Sequence, residues 1–207
     1  MSVTRLDALR TIARRREARR QLAAYIGYTS PKYKPSGFSA AVCAALDMFI
    51  DDMQTGRRPI LVLQAPPQHG KSEIVSRKLP AFLLGRFPDW RVGAASYSDE
   101  LANAMAQDVR RNLADDRHKK LFPQPAEKRR YDVNRTGEFT APGGAGGYLG
   151  AGVGAGLTGR PVDIGIIDDP VKNEKEALSP TVKEGHWNWY QTVFTTRLSE
   201  NSGQIIM

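Results

Sequence analysis

Apolar residues recur along this chain with two different periods. Phe38, Val42, Leu46, Phe49 and Met53 are spaced 4, 4, 3 and 4 residues apart, which puts them on one face of a helix. Leu101, Met105, Val109 and Leu113 repeat that pattern and predict a helix over about 100–113, with Asp99 as its N-cap. Ile74, Leu79 and Leu83 mark another over 72–84, which Pro80 either kinks or ends. Residues 3–24 read as one helix, and 180–198 as a helix whose apolar side is Trp187, Tyr190 and Phe194. Short apolar runs bounded by turn signals read as buried strands: Ile60-Leu-Val-Leu63, Arg91 to Tyr97, and Val162 to Ile167. Gly203 to Met207 begins a further strand. Glu138-Phe-Thr-Ala141 and Gly147-Tyr-Leu-Gly150 bracket a Pro-Gly-Gly-Ala-Gly turn, as in a hairpin. Strands alternating with helices predict an α/β fold, a mostly parallel sheet flanked by helices.

The clearest boundary is YTSPKYKPSG, residues 28–37, with two prolines and a glycine. It divides the chain into a basic N-terminal helix and linker, 1–37, and a main domain, 38–207. The sequence has 207 residues, enough for one domain with a sizeable core. No apolar run approaches the roughly 18–20 residues of a membrane span, and the N-terminus lacks the apolar centre of a secretion signal. The single cysteine, Cys43, rules out an internal disulfide framework and lies among small apolar residues, as a buried residue would.

Charge adds a partner class. The formal net charge is +8, which fits either a polyanionic partner such as nucleic acid or a generic basic surface. Arg5, Arg10, Arg14, Arg15, Arg16, Arg19 and Arg20 face only Asp7 and Glu17. This N-terminal helix is a solvated helix on one reading. On the other it is an arm that touches nucleic acid or an acidic partner.

The most specific chemistry lies at Gln64-Ala-Pro-Pro-Gln-His-Gly-Lys-Ser72. A phosphate-binding loop needs a strand, a tight turn whose amides point inward, and a helix whose N-terminus faces the anion. Here Pro66, Pro67, Gln68, His69 and Gly70 form the turn between a strand and a helix. Lys71 would meet the β- and γ-phosphates, and the Ser72 hydroxyl would bind Mg²⁺. Ala65 stands where the usual pattern has glycine.

A matching acidic half lies downstream. Ile164-Gly-Ile-Ile-Asp168-Asp169 is an apolar strand that ends in two carboxylates. Asp168 is the metal-side candidate and Asp169 the carboxylate that activates the attacking water. Alone, Asp168-Asp169-Pro170 would read as a strand-ending turn. Glu174 and Glu176 are substitutes for Asp169, whose side chain is one methylene shorter than the glutamate many such ATPases carry. The transition state also calls for an arginine, and Arg160 is the first candidate, ahead of Arg197, Arg110 and Arg111. A surface charge in a flexible loop accounts equally for Arg160. Tyr33 could stack on the adenine base.

APPQHGKS, the SYSDELANAMAQDVR stretch at 96–110, GLTGRPVDIGIIDDP at 156–170 and NWYQTVFTTRL at 188–198 occur in this order. Together they resemble the ATPase domain of the large terminase subunit of tailed double-stranded DNA bacteriophages and prophages, over roughly residues 38–207. The resemblance implies a P-loop NTPase fold of the ASCE type and a motor that uses ATP and Mg²⁺ to translocate double-stranded DNA into a procapsid. It implies a portal protein and a small terminase subunit as partners. It also implies a homo-oligomeric ring, often a pentamer, in the host cytoplasm, a monomer being compatible with an isolated domain. Carried over, Lys71 and Ser72 match the phosphate and Mg²⁺ positions, Asp168 the metal-side aspartate and Asp169 the catalytic carboxylate. Some members place an arginine inside the loop, where this chain has Gln68, so an arginine donated across the ring is expected. The family's coupling motif and nuclease domain would lie beyond Met207, so no nuclease activity is expected of this chain. The alternatives are another nucleic-acid translocase or helicase, a small-molecule kinase, and a non-catalytic DNA-binding assembly module whose loop has decayed.

Overall fold

The computed structural model describes residues 5–66, 68–123, 133–157 and 161–207. Its first helices are α1 (Arg5–Ala18), α2 (Leu22–Thr29) and α3 (Gly37–Gln54). The single helix expected over 3–24 is therefore two. The chain turns at Arg19–Gln21, and the Asp47 carboxylate of α3 accepts the Leu22 amide at 3.0 Å, capping α2. Composition explains the break. Helix α1 exposes Leu6, Leu9 and Ile12 among its arginines, whereas α2 carries Leu22, Tyr25 and Ile26 into the core. Helix α3 has the expected apolar face, with Val42, Leu46, Phe49 and Met53 buried, and starts in a reciprocal Ser36–Ser39 capping box. Cys43 is buried beside them.

After β1 (Ile60–Val62) and the loop, a helix runs to Arg86 in two parts: a wider π-helical stretch, Glu73–Lys78, and α4, Leu79–Arg86. Pro80 neither ends nor interrupts it. Proline has no N–H to give the Ser76 carbonyl, and the turn before it widens so that the Leu79 amide bonds back to Ile74 instead. Strand β2 (Arg91–Ser96) leads to α5 (Asp99–Ala114), whose cap is Ser98 and not Asp99. The Asp99 carboxylate instead accepts the Gly152 amide at 2.6 Å, joining the helix start to a neighbouring strand. A short α6 (Asp116–Leu121) follows. The expected hairpin forms from β3 (Glu138–Thr140) and β4 (Gly147–Gly152), with Phe139 opposite Tyr148. Then come β5 (Val162–Ile167), α7 (Glu174–Leu178) and α8 (Pro180–Trp189), with tighter and wider turns through Arg197. Strand β6 spans Leu198–Ile206, starting five residues earlier than expected. On α8 it is Trp189, 6% exposed, that faces inward, while Trp187 is 59% exposed.

The strands form a six-stranded sheet in the order β1-β6-β5-β2-β4-β3, parallel except for β3 against β4. Alternate residues feed opposite faces. Ala94 and Ile166 join the main core with α2, α3, α4 and α5, and Ala95 and Ile167 join a smaller one with Trp189 and Phe194. This is the expected α/β architecture, with a further correction at β1. β1 is not a buried strand: among the described residues it pairs only with β6, and Ile60 and Val62 are 59% and 56% exposed.

The sheet sets the height of what leaves it. Ile206 on β6 lies opposite Val62 on one side and Ile167 on the other. The loop after β1 and the acids after β5 therefore emerge at one level, separated by the width of a single strand.

Candidate active site

The loop leaves β1 at Leu63, whose amide still bonds to the Ile206 carbonyl at 2.9 Å. It then turns through two left-handed residues, Gln68 at φ 64° and Gly70 at φ 79°. A Cβ on Gly70 would meet no described residue within 4 Å, so the backbone angle is what calls for glycine there. A left-handed residue next to a right-handed one turns successive amides inward, the concavity that holds anions. The helix begins at Lys71, with the Ile74 amide bonded to the Gly70 carbonyl at 3.2 Å. Its N-terminus opens onto the loop, adding the positive end of the helix dipole.

From the other side comes Asp168, 1% exposed, at the end of β5. Its amide bonds to the Ala95 carbonyl at 2.9 Å, extending the ladder by one residue and fixing where the carboxylate stands. Ser72 donates to Oδ1 at 3.2 Å and Ser76 to Oδ2 at 2.6 Å. Burial pushes the Asp168 carboxyl above the ordinary carboxylate range. The Ser76 and Ser72 hydrogen bonds work against that rise, the neighbouring Asp169 adds to it, and Lys71 opposes it.

Asp169 differs in every respect. Its side chain is exposed, its carbonyl accepts the Tyr97 amide at 3.1 Å, and its φ is 47°. Aspartate tolerates the left-handed region better than most residues, but the conformation still carries strain. The bend turns the chain out of the sheet one residue after the buried acid.

Of the remaining sequence candidates, Pro66, Gln68, His69 and Gly70 line the exposed turn, and Lys71 is half-buried at the helix start. The His69 ring meets Phe38 edge-on, with centroids 5.8 Å apart. Pro67 and Arg160 lie outside the described residues. Arg110 is committed elsewhere. It donates to Asn134 Oδ1 at 2.6 Å and to the carbonyls of Arg135 and Glu138, and it lies over the Phe139 ring. Arg111 pairs with Asp108 at 2.8 Å. The Arg197 Nε is buried without a hydrogen-bond partner among the described residues. Glu176 folds back on the Lys172 amide, Glu174 is exposed on α7, and Tyr33 packs against the main core. Sequence reasoning missed Ser76. Its only signal was the fourfold spacing of Ser72, Ser76 and Pro80 along one helix.

These residues fit a magnesium–nucleotide pair. A hydroxyl and one buried carboxylate are oxygen donors of the kind Mg²⁺ takes when substrate phosphates and water complete its shell. Among the described residues no three of His, Cys, Asp and Glu gather as a dedicated metal cage.

The family model described as terminase large subunit, T4likevirus-type, N-terminal, matches residues 62–205. No curated protein matches the chain. Among solved structures, a mutant of the Thermus phage P74-26 large terminase ATPase domain is similar at 20% identity and a TM-score of 0.49. That match covers 84% of this chain and 65% of the phage chain.

Proposed function

The chain belongs to the T4likevirus-type family of terminase large subunits, as an N-terminal part, and from that premise we propose that it hydrolyses ATP to drive double-stranded DNA into a viral procapsid. The observation that carries the reading is the Ser72–Asp168 contact at 3.2 Å, between the phosphate-loop helix and the acidic strand. Two half-motifs that are far apart in sequence meet at one point.

In this reading the amides around Gly70 and the Lys71 ammonium hold the β- and γ-phosphates. Ser72 and Asp168 hold Mg²⁺, which when bound neutralises charge on the phosphate oxygens. Asp169, exposed beside the buried acid, orients the attacking water and accepts its proton. Arg160 supplies positive charge from a neighbouring copy of the chain, since Gln68 cannot. DNA is held through phosphates without reading bases, as a packaging motor must accept any sequence. The portal protein, the small terminase subunit and a ring of copies complete the machine in the host cytoplasm. Among the described residues no helix is long and apolar enough to cross a membrane.

The test is ATP turnover by wild type, Lys71→Ala and Arg160→Ala, with and without duplex DNA, at increasing protein concentration. Turnover by wild type that DNA stimulates, and that Lys71→Ala abolishes, is expected. Equal rates in wild type and Lys71→Ala would sink the reading. Full turnover by Arg160→Ala at high concentration would remove only the arginine assignment.

A further inference from the structure

Ser76 is wholly buried, yet its hydroxyl makes the shortest hydrogen bond in the site, 2.6 Å to Asp168 Oδ2. A serine inside a helix ordinarily turns its hydroxyl back to the carbonyl four residues earlier. Here that hydroxyl goes to a carboxylate 92 positions away on another element. The widened turn of Glu73–Lys78 carries it, and that turn is coupled to Pro80, which cannot donate to the Ser76 carbonyl. The carboxylate is therefore gripped at both oxygens by one helix, loosely through Ser72 and tightly through Ser76.

We propose that Ser76 is a positioning residue that locks Asp168 Oδ2, so that Oδ1 alone faces Ser72 and the phosphate loop. This rests on the magnesium–nucleotide reading of the site. A carboxylate free to rotate about its Cβ–Cγ bond would present either oxygen, in varying directions. With Oδ2 held by Ser76, the Oδ1 lone pairs keep one direction, and the carboxylate is oriented before nucleotide arrives. Residues that hydrogen-bond a metal ligand from outside commonly account for about 10–100-fold in metal affinity. Ser76 does not touch substrate, and its effect runs entirely through Asp168.

The experiment is a Mn²⁺ titration of the 207-residue chain with a non-hydrolysable ATP analogue, read by electron paramagnetic resonance. Wild type, Ser76→Ala, Ser76→Cys and Ser76→Thr are compared, with thermal unfolding recorded for each. Binding of a fluorescent ATP analogue in EDTA serves as the metal-free readout. Ser76→Ala and Ser76→Cys should weaken Mn²⁺ by about tenfold or more and leave metal-free nucleotide binding unchanged. Ser76→Thr, which keeps the hydroxyl, should restore Mn²⁺ affinity. Wild-type Mn²⁺ affinity in Ser76→Ala overturns the proposal. Equal losses in all three variants, or loss of metal-free nucleotide binding alongside, mark Ser76 as packing and overturn it too. If wild type gives no nucleotide-dependent Mn²⁺ signal, the reading of the site fails and this inference fails with it.

Discussion

Asp168 stands between two serines of one helix, Ser72 3.2 Å from one carboxylate oxygen and Ser76 2.6 Å from the other. The acid is buried, so each hydroxyl offsets part of its desolvation, and each hydroxyl in turn has its partner there. Asp168→Ala should therefore destabilise the nucleotide-free protein by about 1–3 kcal/mol, because the buried Ser76 hydroxyl loses its acceptor. Asp168→Asn keeps an acceptor and removes the buried charge, so its melting temperature should match or exceed wild type at pH 7. Both variants should lose ATP turnover. Thermal unfolding of the two side by side checks this, and an Asn variant as unstable as the Ala variant would refute it.

Asp169 is held at φ 47° two residues after β5 ends at Ile167. Glycine adopts that angle without the Cβ penalty, and a strained residue of this kind costs on the order of 1–3 kcal/mol. Asp169→Gly should raise the melting temperature while abolishing hydrolysis, and Asp169→Asn should abolish hydrolysis at near-wild-type stability. Both should still bind nucleotide in equilibrium titrations. A stability loss in Asp169→Gly would show that its side chain holds the turn.

Gly70 is the converse case. No described residue lies within 4 Å of the place its Cβ would take, and the backbone angle of 79° is what demands glycine. Gly70→Ala should shift the global melting temperature little, since an exposed loop can relax. It should weaken nucleotide binding strongly, because relaxation turns the amides away from the phosphates. Calorimetric titration of an ATP analogue against wild type and Gly70→Ala measures the difference.

Much of this arrangement can be read from local pattern. The α3 and α5 faces, the β3–β4 hairpin and the run into Asp168 each follow from spacing or turn chemistry within one segment. What the sequence hides are relationships between segments. Ile60-Leu-Val-Leu63 looks like a buried strand because its residues are apolar, but burial depends on neighbours, and among the described residues β1 has only β6 beside it. Asp99 looks like a cap because it stands at a helix start, but Ser98 has the capping geometry and Asp99 is used by Gly152. Trp187 and Trp189 differ by two positions, and it is Trp189 that packs with Phe194 and donates its indole N–H to the Ala155 carbonyl at 2.9 Å. At the site, Lys71, Ser72 and Asp168 belong to recognisable motifs. Ser76 does not, because its role depends on a π turn and on an acid from another strand.

The last prediction concerns the N-terminal side. His118 on α6 is 2% exposed, and its Nδ1 is hydrogen-bonded to the Tyr25 hydroxyl of α2 at 2.9 Å. Burial lowers its pKa from the ordinary 6.5 to about 4, Asp115 works against that fall, and Lys119 adds slightly to it. The folded protein thus keeps His118 neutral at a pH where the unfolded chain would protonate it. The stability this residue contributes is complete above pH 6.5 and is lost progressively as pH falls toward 4. Each unit in that window is worth at most about 1.4 kcal/mol. Wild type should lose stability more steeply between pH 6.5 and pH 4 than His118→Gln, whose neutral amide can still meet Tyr25 but does not titrate. The readout is the slope of urea-unfolding free energy against pH, which is insensitive to any uniform cost of the substitution. Parallel slopes in the two proteins would show that the unfolded chain does not protonate His118 more readily than the folded one.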